Sequence, residues 1–143
     1  MYDLLNERIV DYEERLKTQI RNSERTKYMT YRTMMNPNLT YPDFYSHIGE
    51  ADDDEKKRIT STRFRLSSHN LAIERGRWSR TPRDQRLCSC GRVQDELHVI
   101  SECPEHQEIR RQNPTVHFHL PELFQAEPVT LKRIVSEVMN DFV

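Results

Sequence analysis

The residues able to do chemistry gather in one short stretch: Cys88-Ser89-Cys90-Gly91, then His98, then Cys103-Pro104. A zinc ion needs four soft or borderline ligands converging in a tetrahedron, and two thiolates on a turn followed by a histidine and a third cysteine can supply them. Gly91 allows the backbone to turn tightly after the second thiol. Pro104 disfavours helical geometry at Cys103, which places Cys103 at the end of a short helix or turn bearing His98. His106 is the rival fourth ligand, although the spacing favours His98. One residue separates the first cysteine pair, where two to four are usual. The plain alternative is three reduced, partly buried thiols without metal. Three cysteines are too few and too odd for a disulfide framework, and Cys88 and Cys90 are too close in sequence for an unstrained bridge. Four protein ligands leave no open coordination position, so such a metal is expected to be structural. No Gly-rich phosphate loop and no Gly-x-Ser-x-Gly accompanies it, and an enzyme is not expected.

Charge is distributed unevenly around this stretch. The chain has 143 residues and a net charge of −1, yet residues 56 to 92 sum to +9 and the remainder to −10. A basic block of that density attracts polyanions, RNA or DNA, through Arg58, Arg63, Arg65, Arg75, Arg77, Arg80 and Arg86. Trp78 or Phe64 would be available to stack on an unpaired base, against the commoner fate of a lone tryptophan in the core. The competing reading is a solvated helix face, or pairing with the acidic flanks.

Elements must position these groups, and the composition favours short helices over a deep core. Apolar residues are 35% of the chain, roughly 37% with its 3 glycines, below the ~45 to 50% of ordinary globular domains. Residues 1–35 read as an amphipathic helix, starting at residue 2 and running to about 34. Leu5, Ile9, Tyr12, Leu16 and Ile20 form one stripe there, and that stripe needs a partner: a helix of this chain, another protein, or a second copy joined through residues 5–20. Residues 36–52 are a loop marked by Pro37 and Pro42. Residues 53–112 hold a basic helix reaching about Ser68, with Ile59 and Leu66 on its apolar face, then the cysteine region. Asp52, Asp53 and Asp54 suit the positive start of that helix far better than a polymerase metal site. Leu71 to Trp78 reads as extended or irregular, and a short helix is expected from Pro104 to Arg111. Residues 113–143 are a linker and a last amphipathic helix carrying Leu131, Ile134, Val135, Val138, Met139 and Phe142, expected to pack on the first two helices. The fold class is mainly α: a small helical domain with a zinc-knuckle-like Cys-Cys-His-Cys segment.

From Arg63 to Arg111 the chain resembles the zinc-binding region at the C-terminal end of non-LTR retrotransposon reverse transcriptases. The resemblance rests on Arg65-Leu66 with Ser68-His69 and Leu71, on Ile73-Glu74 and Gly76-Arg77-Trp78, and on Arg86-x-Cys88, Asp95-Glu96-x-His98 and Cys103-Pro104. It covers about a third of the chain. It implies that Cys88, Cys90, His98 and Cys103 are the ligands of a structural zinc and that the region helps a retroelement protein hold nucleic acid. Nothing here resembles a polymerase palm, so a terminal fragment or a separately encoded remnant is implied and polymerase activity is not. Acids near the start argue against a signal peptide, no apolar run approaches ~18 residues, and an intracellular, nuclear or cytoplasmic, protein without membrane partners is expected.

Overall fold

The computed structural model describes residues 2–40 and 52–142 of the chain. It is mainly helical. Helix α1 (Tyr2–Asn22) is followed by α2 (Thr26–Thr30), which runs into a π-helical turn at Tyr31–Met35. Next come α3 (Asp52–Arg65) and α4 (Ala72–Trp78), then the cysteine region, with a second π-helical turn at His98–Glu102. Three further helices follow: α5 (Gln107–Gln112), α6 (Leu120–Leu123) and α7 (Pro128–Met139). The loop reading around Pro42 and most of residues 36–52 lies outside the described residues, as do the side chains of Asp52, Asp53 and Asp54.

The single N-terminal helix expected to residue 34 is broken at Ser23. Arg32 reaches back and donates from one Nη to the carbonyls of Ile20 (3.0 Å), Arg21 (2.6 Å) and Ser23 (2.7 Å), satisfying acceptors that the end of α1 leaves open. The Ser23 hydroxyl accepts from the Arg25 amide at 3.2 Å, a local bond that competes with helix continuation. Arg25 is extended, and the chain restarts as α2.

The core is built around α7. Leu131, Ile134, Val135, Val138 and Met139 are all buried, as the spacing predicts, and they join Phe64, Met35, Leu71, Ile73, Val99 and Ile100 in one apolar cluster. The closest partner of α7 is α3, with α5 and the turn at His98–Glu102 also against it; among the described residues none of α1 belongs to this core cluster, unlike the packing the sequence suggested. The face that α3 turns inward is also different from the expected one. Ser61 and Phe64 are buried, whereas Ile59 and Leu66 are exposed. Phe64 stacks near Phe124 with ring centroids 6.2 Å apart. Phe64 is fully covered and therefore cannot stack on a base. Along α1 the stripe finds cover among the described residues only at its end: Leu4, Leu5, Ile9, Val10, Tyr12 and Leu16 are exposed, while Ile20 is half-buried.

Residues 72–78, expected to be extended, form α4. Two of its first amides are satisfied from outside the helix, since Gln94 accepts from Ala72 N through its side chain (2.7 Å) and from Ile73 N through its carbonyl (3.1 Å). Arg86 lies across Gly76 and donates to the carbonyl of Ile73 (2.9 Å), in the first turn, and to that of Thr81 (2.8 Å), beyond the helix. A Cβ at Gly76 would stand 2.5 Å from Arg86 carbons, so glycine is what lets the guanidinium arm cross. Seven residues make a weak helix alone; these long-range caps hold it.

Candidate metal centre

Two pieces of backbone bring the four sequence-predicted ligands together. The first is a tight hairpin closed by an antiparallel bridge between Leu87 and Val93. Within it Cys88 N donates to Arg92 O (2.7 Å) and Gly91 N to Cys88 O (2.9 Å). Gly91 has φ of 90°, a left-handed value that lets Cys88 and Cys90 face the same side despite the short spacing. The second piece is the π-helical turn. Asp95 caps its start by accepting from His98 N at 2.9 Å, and Cys103 N closes it onto His98 O at 2.7 Å. The wider ring puts His98 and Cys103, five positions apart, on one face. Cys103 then leaves the turn with extended geometry ahead of Pro104, as the proline demands.

The four ligand atoms all lie within 4.8 Å of one another. The Cys88 and Cys103 sulfurs are 3.8 Å apart, and Cys90 Sγ is 3.1 Å from His98 Nε2. Two thiolates each about 2.3 Å from a tetrahedral zinc would be about 3.8 Å apart, whereas a disulfide would need about 2.05 Å. The donor set therefore fits a metal ion of soft-ligand preference. Cys88, His98 and Cys103 are buried and Cys90 is exposed.

The supporting groups are equally specific. His98 Nδ1 makes no hydrogen bond, and a Glu102 carboxylate oxygen stands 3.7 Å from it, a carboxylate beside the far nitrogen of a ligating imidazole. Their i,i+4 spacing was the sequence signal for that pair. Arg110 donates to the Cys103 carbonyl at 2.6 Å and steadies the last ligand's backbone. Burial pushes the Cys88 thiol up, but hydrogen bonds from the Cys90 backbone, Ser89 and His98 outweigh it and bring it down to about 6. Cys103 goes the other way: burial and the adjacent Cys88 sulfur push it up to about 11. In the metal-free pocket one sulfur of this pair takes the negative charge and the other keeps its proton. A bound cation would remove that conflict.

His106 is placed elsewhere. It is buried, its Nδ1 lies 3.0 Å from the Val99 carbonyl, and its ring meets Phe142 edge-on with centroids 5.9 Å apart. A second buried cluster ties α3 to the ligand turn. Glu96 sits 2.9 Å from His69 Nε2 and accepts from Ser67 Oγ at 2.8 Å. Although its burial opposes ionisation, these bonds with His69 and Ser67 hold its carboxyl below the usual range.

The residues expected to meet nucleic acid divide into two sets. Arg65 is only 3% exposed; its guanidinium lies over the rings of Tyr31 (5.6 Å) and Phe124 (5.2 Å), so it belongs to the core and cannot reach a phosphate. Arg86 is spent on the α4 clamp, and Arg58 is forked onto Glu55 at 2.8 and 2.5 Å. Arg77 pairs with the buried Glu74 at 3.0 Å. In contrast Arg63, Arg75 and Arg80 are exposed, and Trp78 is 84% exposed, not in the core. Lys27, which sequence reading passed over, also reaches Glu74 at 3.0 Å, bringing α2 against α4. No local signal links residues so far apart. Among the described residues no helix is long and apolar enough to cross a membrane. Comparisons with family models, with curated proteins and with solved structures find no match for this chain.

Proposed function

We propose that the chain is a noncatalytic nucleic-acid-binding module in which a structural zinc, held by Cys88, Cys90, His98 and Cys103, pins the hairpin to the ligand turn. The observation that supports the metal is the convergence of three sulfurs and one imidazole nitrogen within 4.8 Å. Zinc is the natural occupant of a Cys3His set with no open position, and cluster chemistry would require more thiolates. What the metal stabilises is the base on which α4 stands, because Gln94 and Arg86, which flank the Leu87–Val93 bridge of the knuckle, both bond to the first turn of that helix.

For nucleic acid the support is the exposed edge made by Arg75, Trp78 and Arg80. Cations flanking an exposed indole match a ligand with phosphates and flat apolar bases. The resemblance of residues 63–111 to the C-terminal zinc-binding region of retroelement reverse transcriptases points the same way, toward a fragment or remnant of such a protein working inside the cell. Electrophoretic shift of a labelled RNA or DNA over a salt series tests this. With roughly 4 to 6 phosphate contacts, log affinity against log salt should slope by about −3 to −5. A chain that shifts neither polymer at low salt refutes it.

The exposed apolar stripe of α1 favours a second reading, a protein-interaction module in which zinc only maintains the fold. Ile9→Glu separates the two: it abolishes partner or self-association under the second reading and leaves nucleic-acid affinity unchanged under the first.

A further inference from the structure

A cleft of about 610 Å³ opens where the end of α1, the start of α2, the end of α3 and α4 meet. Its apolar surfaces come from Ile20, Tyr28, Tyr31 and Leu66, and its rim carries Arg25, Lys27 and Arg77. Volumes of a few hundred Å³ are those of small-molecule sites, and a single flat ring system fits easily. Tyr28 and Leu66 are 44% and 46% exposed, which is unusual for apolar groups sharing one concavity. Tyr31 is fixed: Arg65 lies over its ring, and its hydroxyl accepts from Asn36 Nδ2 at 3.1 Å. Two of the three rim cations share one acid. Glu74 is buried, takes Lys27 on one oxygen and Arg77 on the other, and leaves the rim with a surplus of two positive charges.

An apolar, aromatic-lined floor under a cationic rim suits a ligand with a flat apolar body and attached anions. We propose that this cleft receives one unpaired base of a single-stranded nucleic acid, with the base against Tyr28 and Leu66 and its flanking phosphates on Arg25 and Lys27. The proposal rests on the nucleic-acid reading above and adds a base site to it. It also assigns a role to cations of α2 that lie outside the basic block of residues 56 to 92. Paired duplex cannot enter, because its bases are stacked on both faces. Every base has a flat face, so the site discriminates strandedness and hardly discriminates sequence.

The test uses the full zinc-loaded chain and three labelled probes read by fluorescence anisotropy: a short oligothymidylate, an abasic oligomer of equal length and phosphate count, and a duplex of equal length. The oligothymidylate should bind about tenfold or more tightly than the abasic oligomer. Tyr28→Ala should remove most of that difference and leave the abasic affinity alone, while Tyr28→Phe should behave as the parent. Leu66→Arg, which fills the cleft from the turn after α3 and adds a cation, should remove the base preference without weakening abasic binding, so either variant decides the matter. Equal binding of the oligothymidylate and the abasic oligomer by the parent chain, or a base preference that survives both changes, overturns the cleft while the nucleic-acid reading stands. Failure to bind any of the three probes overturns that reading and the cleft together.

Discussion

His98 and His106 carry the same imidazole eight residues apart, and their surroundings give them opposite work. His98 Nε2 faces a sulfur, whereas His106 is locked to a carbonyl and to Phe142. His98→Ala should therefore lose bound zinc, measured by atomic emission on protein purified under reducing conditions. His106→Ala should keep the metal and cost about 1 to 3 kcal/mol in a urea melt, through the lost bond and the cavity. Equal metal content in the two variants would reject the ligand assignment. The thiols also set the pH response. Cys103 holds its proton in the metal-free chain up to about pH 11 and must release it on binding, while Cys88 is already ionised above about 6. Zinc affinity should thus rise at least tenfold per unit between pH 7 and 9, because each unit makes removal of the Cys103 proton easier by that factor. Competition with a chromophoric chelator checks the slope; a flat profile would contradict the protonated Cys103.

At the scale of elements, the knuckle and α4 behave as one unit. Gln94 caps the start of α4 and Arg86 braces its first turn, Glu96 receives Ser67 and His69 from the segment joining α3 to α4, and His98 and Cys103 follow on the same stretch of chain. Gly76→Ala should lower stability by roughly 1 to 3 kcal/mol in a denaturant melt, since the new methyl displaces the Arg86 arm. A neutral result would mean that the arm does not brace the helix. Chelation should have a graded effect. Amide exchange should accelerate across residues 86–104 and in α4, and less in α7, whose main packing is against α3 although Val99 and Ile100 of the ligand turn share its core. Unchanged protection in residues 86–104 after zinc removal would mean that metal does not hold the hairpin.

Across the whole molecule, the same cation type serves two ends that composition cannot separate. Arg65 and Arg86 are structural, whereas Arg75 and Arg80 are exposed. Arg75→Gln with Arg80→Gln should flatten the salt slope of nucleic-acid binding by about 2 units if each meets a duplex phosphate. Arg65→Ala should instead destabilise the core by about 2 to 4 kcal/mol, through the lost ring contacts and the cavity left behind, read from thermal melting, while the folded fraction keeps its slope. A changed slope in the Arg65 variant would place that guanidinium at the nucleic acid and not between Tyr31 and Phe124.

Much of the site was legible in the chain because it depends on short range. A glycine after a thiol permits a left-handed turn wherever it occurs, a proline fixes the residue before it, and ligands within sixteen residues have little freedom once those turns form. The helical class and the buried face of α7 were legible for the same reason, since a stripe at helical spacing is a local property. The break at Ser23, the helical state of residues 72–78, the inward face of α3 and the burial of Arg65 were not. Each is decided by groups far away in sequence: Arg32 on the end of α1, Gln94 and Arg86 on the first turn of α4, Tyr31 and Phe124 around the Arg65 guanidinium. Local propensity differs among such alternatives by about a kilocalorie per mole or less per residue, and a single buried hydrogen-bonded or stacked partner outweighs it. Which arginines hold the fold and which remain free to meet a polyanion is therefore settled only when the chain closes on itself.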